Sequence, residues 1–160
     1  ALKLVALKGQ WLPYAALGEA LCMSRFEAHA AVQRLMAARL VVEVDGQPSP
    51  VMAALRQFVV FGAPYVYPAV RGEMTIGFPT AHGVAPLKTK MVVSNEPLPV
   101  WPHPEGKARG QGILPLYENL PLAAKDDSAL YELLALFDAL RAGQAREREM
   151  AKKLLEERLR

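Results

Sequence analysis

Arg25, His29 and Gln33 stand four residues apart, so a helix would stack them one turn above the next on a single face. Each can bond the edge of a nucleic-acid base: Arg bidentate to guanine, Gln bidentate to adenine, His through either ring nitrogen. Phe26 falls on the same side, and no carboxylate sits at its centre. Arg34 lies at the flank of this face. Lys8, Ser24 and Arg39 lie at predicted helix ends, where a basic or hydroxyl side chain can meet a phosphate.

No other cluster carries comparable chemistry. Thr80 and His82 place a hydroxyl near an imidazole, and Arg71, Lys88 and Lys90 are available to an anion. Residues 105–112 are Gly-rich but lack the GxxxxGK[ST] spacing of a phosphate loop. His29, His82 and His103 share no ligand spacing, there is no H-E-x-x-H, and no G-x-S-x-G elbow occurs. With one cysteine, Cys22, a disulfide framework and a multi-Cys zinc site are both excluded. The sequence therefore predicts no catalytic residue, no metal site and no cofactor.

The elements that position the basic face are legible. Residues 1–8 form a short apolar helix stopped by Gly9, and Pro13 opens a second helix through Leu21. Cys22 and Met23 make a turn. Ser24-x-x-Glu27 is a capping box, in which the hydroxyl takes a backbone N–H and the carboxylate reaches back to the cap. The third helix, about 24–38, turns Ala28, Ala31, Val32 and Leu35 inward against Tyr14, Leu17 and Leu21. Residues 40–44 read as a strand and Asp45-Gly46 as a turn.

Tyr14 through Ser24, then Ala28, Val32 and Leu35, then Ala38-Arg39-Leu40-Val41 resemble a winged helix-turn-helix of the MarR-like bacterial regulators. The resemblance covers under a third of the chain. It implies sequence-specific binding to double-stranded DNA, with the third helix in the major groove. Base contacts then fall to Arg25, Phe26, His29 and Gln33, and phosphate contacts to Lys8, Ser24, Arg34 and Arg39. Two departures stand out. Cys22 occupies the turn position where the family usually has Gly. Gln47-Pro48-Ser49-Pro50 is a poor second wing strand, so the wing is expected to be short or absent.

The rest of the chain divides by composition. Of 160 residues, 52% are hydrophobic and 22% charged, and the net charge of +3 permits a nucleic-acid partner without demanding one. Twelve of the thirteen prolines lie between Pro48 and Pro121. The expected fold is mainly α: a DNA-binding unit over 1–62, a Pro/Gly-rich wrapping region with little β over 63–125, and a helical interaction segment over 126–160. Helix 51–61 is apolar nearly all round and so should be buried. Residues 65–67 and 90–93 are candidate short strands, and 97–104 a stiff extended segment. Asp127 or Ser128 caps a helix that ends at Gly143, and a charged helix with one apolar seam follows.

Phe58, Trp101, Met150, Leu154 and Leu155 are the expected contacts for a homodimer or a second protein. The alternative to a regulator is therefore an antitoxin-like module that holds an enzyme through its middle region and C-terminal helix. No apolar run is long enough for a membrane span and residues 1–8 lack a signal-peptide core, so the expected location is the cytoplasm.

Overall fold

The computed structural model describes residues 1–90 and 96–160. Three short elements open the chain: α1 (Leu2–Ala6), α2 (Tyr14–Ala20) and α3 (Arg25–Ala37). They are followed by a hairpin, β1 (Val41–Val44) with β2 (Gln47–Pro50), paired antiparallel from Val41 opposite Pro50 to Val44 opposite Gln47. The second wing strand, expected to be poor, does form, and the wing is short, with four residues on each side. Both residues of the connecting turn, Asp45 and Gly46, take positive φ, a turn twist that matches paired strands. Pro48 and Pro50 sit on an edge strand of a two-stranded ribbon, where a missing N–H is tolerated.

Helix α4 (Met52–Gln57) runs into a π-helical turn over Phe58–Gly62 and then α5 (Ala63–Val66). The widening has a local cause: Pro64 has no N–H to offer the carbonyl of Val60 and clashes with it in a regular helix. Residues 65–67, a candidate strand by composition, thus belong to the end of this helix and its cap. The helix is not buried all round either. Leu55, Val59 and Val60 are buried, whereas Phe61 is exposed.

The middle region overturns the mainly-α expectation, and the fold is mixed α/β. Strand β3 (Arg71–Pro79) pairs antiparallel with both β4 (Pro99–Pro102) and β5 (Ala108–Ile113), and β4 runs parallel to β5. Prolines Pro79, Pro99 and Pro102 occupy strand ends, where they cost the ladder least. Tight crossing requires a glycine: a Cβ on Gly110 would collide with the Leu98 carbonyl oxygen. A 3₁₀ turn (Ala81–Gly83) and α6 (Leu87–Lys90) connect β3 onward. Of the candidate strand 90–93, Lys90 ends α6 and the rest lies outside the described residues.

Helices α7 (Leu120–Lys125), α8 (Ser128–Ala142) and α9 (Ala145–Arg158) close the chain. Asp127 caps α8, accepting from the Leu130 N–H at 2.9 Å, and Gly143 ends it. The main core joins Leu55, Val59 and Val60 to Leu136 and Phe137 of α8 and to Leu154 and Leu155 of α9. A second cluster seats Trp101 among Leu120, Leu130 and Leu134.

These clusters correct three expected partner contacts. Trp101 is 0% exposed, and Leu154 and Leu155 lie inside the chain's own core. Phe58 and Met150 are half-buried and pack against that core. The seam of α9 is satisfied by α8, so its charged face alone meets solvent.

One buried polar network holds the strands to the helices. Asp138 of α8 accepts from the Trp101 indole N–H at 2.6 Å and from the Thr80 hydroxyl at 2.7 Å. Its other oxygen accepts from Arg141 Nε at 2.8 Å. Burial pushes the Asp138 carboxyl above its usual range, and Arg141, Thr80 and Trp101 oppose that shift.

Candidate nucleic-acid interface

Helices α2 and α3 pack through a small core of Leu17, Ala28 and Val32, rimmed by Leu12, Tyr14, Leu21, Met23 and Met36. Small residues on the inner face of α3 permit this close approach. A Cβ on Gly18 would stand 2.8 Å from the Met23 carbonyl oxygen, so α2 can touch the turn only through glycine there. In that turn Cys22 adopts φ 52, the left-handed conformation for which glycine is the usual residue.

The turn is also held from outside. The Tyr117 hydroxyl donates to the Leu21 carbonyl at 2.8 Å, and Asn119 Nδ2 donates to the Cys22 carbonyl at 3.2 Å. Burial drives the Tyr117 phenol well above its ordinary pKa, so it remains a donor at any physiological pH. The body of the protein thereby fixes the corner between α2 and α3.

Helix α3 begins as the sequence predicts. Ser24 Oγ accepts from the Glu27 N–H at 3.2 Å, and Glu27 Oε2 accepts from the Ser24 N–H at 2.8 Å. These bonds from Ser24 hold the Glu27 carboxyl below its ordinary pKa. The hydroxyl of Ser24 is thus committed within the cap, accepting from the Glu27 N–H and bonding the Glu27 carboxylate.

Outward from this frame, Arg25, Phe26, His29 and Gln33 are all exposed, Phe26 to 71%. The Arg25 guanidinium lies 4.7 Å from the Phe26 ring centroid. His29 meets Tyr14 edge-on at 4.7 Å between ring centroids. Gln33 Nε2 approaches Met36 Sδ at 3.9 Å, a contact too weak to withhold the amide from a better partner. Lys8, Arg34 and Arg39 are exposed as well, Lys8 and Arg39 at the left-handed residues that end their helices.

The β1–β2 hairpin is less suited to nucleic acid. Its exposed side chains include Val42 and Val44, with Glu43 and Asp45 at the tip. Two carboxylates and no cation make a poor phosphate contact.

Of the residues that tempt a catalytic reading, Thr80 donates to Asp138, and His82 Nδ1 lies 3.4 Å from Glu147 Oε1, a buried oxygen without a hydrogen-bond partner. Residues 108–112 of the Gly-rich run form most of β5. Among the described residues, no group of three His, Cys, Asp or Glu is arranged to hold a metal. No helix among them is long and apolar enough to cross a membrane.

Sequence reasoning missed Asn119 and Asp138, and gave no sign that Tyr117 bonds the α2–α3 corner. Their roles depend on contacts across 96, 97 and up to 58 residues, which no local pattern announces. Between α3 and the body lies an apolar cleft of about 490 Å³, walled by Ala31 and Leu35 on one side and Phe58, Leu134 and Phe137 on the other. No family model matches the chain, and neither does any curated protein or solved structure. The functional reading therefore rests on this geometry.

Proposed function

We propose that the protein is a cytoplasmic transcriptional regulator of the MarR-like winged-helix type, not an enzyme, that binds double-stranded DNA in a sequence-specific way. Helix α3 enters the major groove, which admits one helix. Arg25, Phe26, His29 and Gln33 meet base edges, and Lys8, Ser24, Arg34 and Arg39 meet phosphates. The observation that carries this reading is the outer face of α3. Four side chains able to contact bases stand exposed on a helix whose start is capped and whose preceding corner is pinned by Tyr117 and Asn119. The acidic hairpin tip assigns little of the affinity to the wing. Few phosphate contacts per chain follow from five basic against four acidic residues over 1–48.

The antitoxin-like alternative loses three of its five named contacts, because Trp101, Leu154 and Leu155 are interior. The test is fluorescence anisotropy against the upstream DNA of the protein's own gene, and against scrambled duplex, at two salt concentrations. Specific binding should weaken with salt. Arg25→Ala with Gln33→Ala should erase the preference while leaving a salt-sensitive residue of non-specific binding. Equal affinity for both duplexes before substitution would remove the proposal.

A further inference from the structure

We infer that Arg25 and Phe26 act as one unit that reads two neighbouring base pairs, the guanidinium on a guanine and the ring on the 5-methyl group of a pyrimidine beside it. The step rests on the DNA-binding reading and names the bases that the head of α3 selects. Phe26 is the largest exposed apolar side chain of α3, with 71% of it open to solvent. An apolar ring in water gains free energy only where it meets another apolar surface. Base edges in the major groove offer one such group, the thymine methyl. The same methyl stands on 5-methylcytosine.

The guanidinium supplies the second half of the unit. The Arg25 guanidinium carbon lies 4.7 Å from the Phe26 ring centroid. A cation over a ring face is held by the negative quadrupole of that face. Stacking of this kind leaves the N–H donors at the edge of the planar fork free. Among the described residues no ion pair engages Arg25. Its donors match the O6 and N7 acceptors of guanine, the commonest specific target of arginine in the major groove. Successive base pairs are about 3.4 Å apart. A guanidinium and a ring held 4.7 Å apart therefore address adjacent pairs. Gln33 stands eight residues further on. That is about 12 Å along the helix, too far to share the same step. The ring thus has two tasks: it orients the guanidinium before DNA arrives, and it covers the methyl afterwards. The capping box of Ser24 and Glu27 fixes the helical turn that carries both side chains.

The test begins with a pool of randomised duplexes, selected by the full chain and sequenced, which supplies the probe. The selected site should contain a thymine next to a guanine. Deoxyuridine in place of that thymidine removes the methyl alone and should weaken wild-type binding about fourfold, the value of burying one such group. 7-Deazaguanine in place of the neighbouring guanine removes the N7 acceptor alone. It should weaken binding about tenfold, as for one hydrogen bond to a charged group. 5-Methylcytosine at the thymine position, paired with guanine, should bind more tightly than cytosine there, which shows whether the methyl is read from either base. Phe26→Ala should bind the thymidine and deoxyuridine duplexes equally. Arg25→Ala should be indifferent to the deaza substitution. Both side chains are exposed, so circular dichroism should be unchanged in both variants. Wild-type binding that is insensitive to the methyl of every thymine beside a guanine overturns the inference and leaves sequence-specific DNA binding standing. So does a folded Phe26→Ala chain that still prefers thymidine to deoxyuridine. Should a variant fail to fold, the base substitutions against the wild type decide alone. A pool that yields no enriched sequence overturns both the inference and the regulator reading.

Discussion

The Tyr117 hydroxyl reaches across 96 residues of sequence to donate to the Leu21 carbonyl at 2.8 Å. This bond ties the segment before α7 to the corner between α2 and α3. It converts a helical hairpin with a small core into one held at a fixed orientation on the body. Tyr117→Phe keeps the ring and removes the donor. It should cost about 1 kcal/mol of stability, the ordinary net value of one such bond. If the corner's orientation matters to DNA, affinity should fall by up to about fivefold, since that energy is converted directly into binding. Urea unfolding and anisotropy titrations on one preparation separate the two effects. An affinity loss with unchanged stability would place the effect in the corner alone.

Asp138 is the central acceptor of the core, taking three donors from three segments. Replacing it with Ala orphans the Trp101 N–H, the Thr80 hydroxyl and the Arg141 guanidinium together. Breaking one side of a buried charged pair costs about 3–5 kcal/mol. Asp138→Ala should therefore lower the urea midpoint sharply with an unchanged denaturant slope. Trp101→Phe removes only one donor and leaves a small cavity at a fully buried site, so its cost should be smaller, about 1–3 kcal/mol. Equal costs for the two variants would mean that packing of the ring, not the network, dominates.

The contrast between the two halves of the chain has a physical origin. Ser24 and Glu27 are three residues apart, and the capping box they form is local, so the start of α3 was readable from its spacing. The same is true of Asp127 at the head of α8 and of the inward face Ala28 and Val32. The strands of the middle region depend on pairing across long separations: Gly77 meets Pro102 and Ala108. Proline density argues against a sheet only when its position within each strand is unknown. The candidate site was legible because its face is helical, with a period of 3.6 residues. What pins it, Tyr117 and Asn119, was not, because a loop tyrosine and asparagine carry no periodic signal. Leu154 and Leu155 show the limit of periodicity itself. The seam of α9 was visible, but whether α8 or another molecule covers it is a tertiary fact.

Lys3 and Asp127 join α1 to the head of α8 at 2.6 Å, on side chains 11% and 22% exposed. Burial acts to raise the Asp127 carboxyl, but the Lys3 ammonium and the N–H groups of Leu130 and Ala129 outweigh it and hold the pKa below the ordinary 3.8. A carboxylate whose folded pKa is depressed contributes stability above its unfolded pKa. It loses that contribution as pH falls through the folded value. Asp138 acts in the opposite sense: its raised pKa favours the folded state in acid, and that contribution fades as pH rises through the folded value. Acid unfolding should therefore draw on Asp127 and not on Asp138. Lys3→Met should cost about 1–2 kcal/mol at pH 7, the scale of a hydrogen bond to a charged group, and progressively less below pH 3.8. Thermal unfolding of wild type and Lys3→Met between pH 7 and pH 3 measures this directly. Melting curves that stay equally far apart at every pH would assign the loss to the lysine stem's packing instead of its charge.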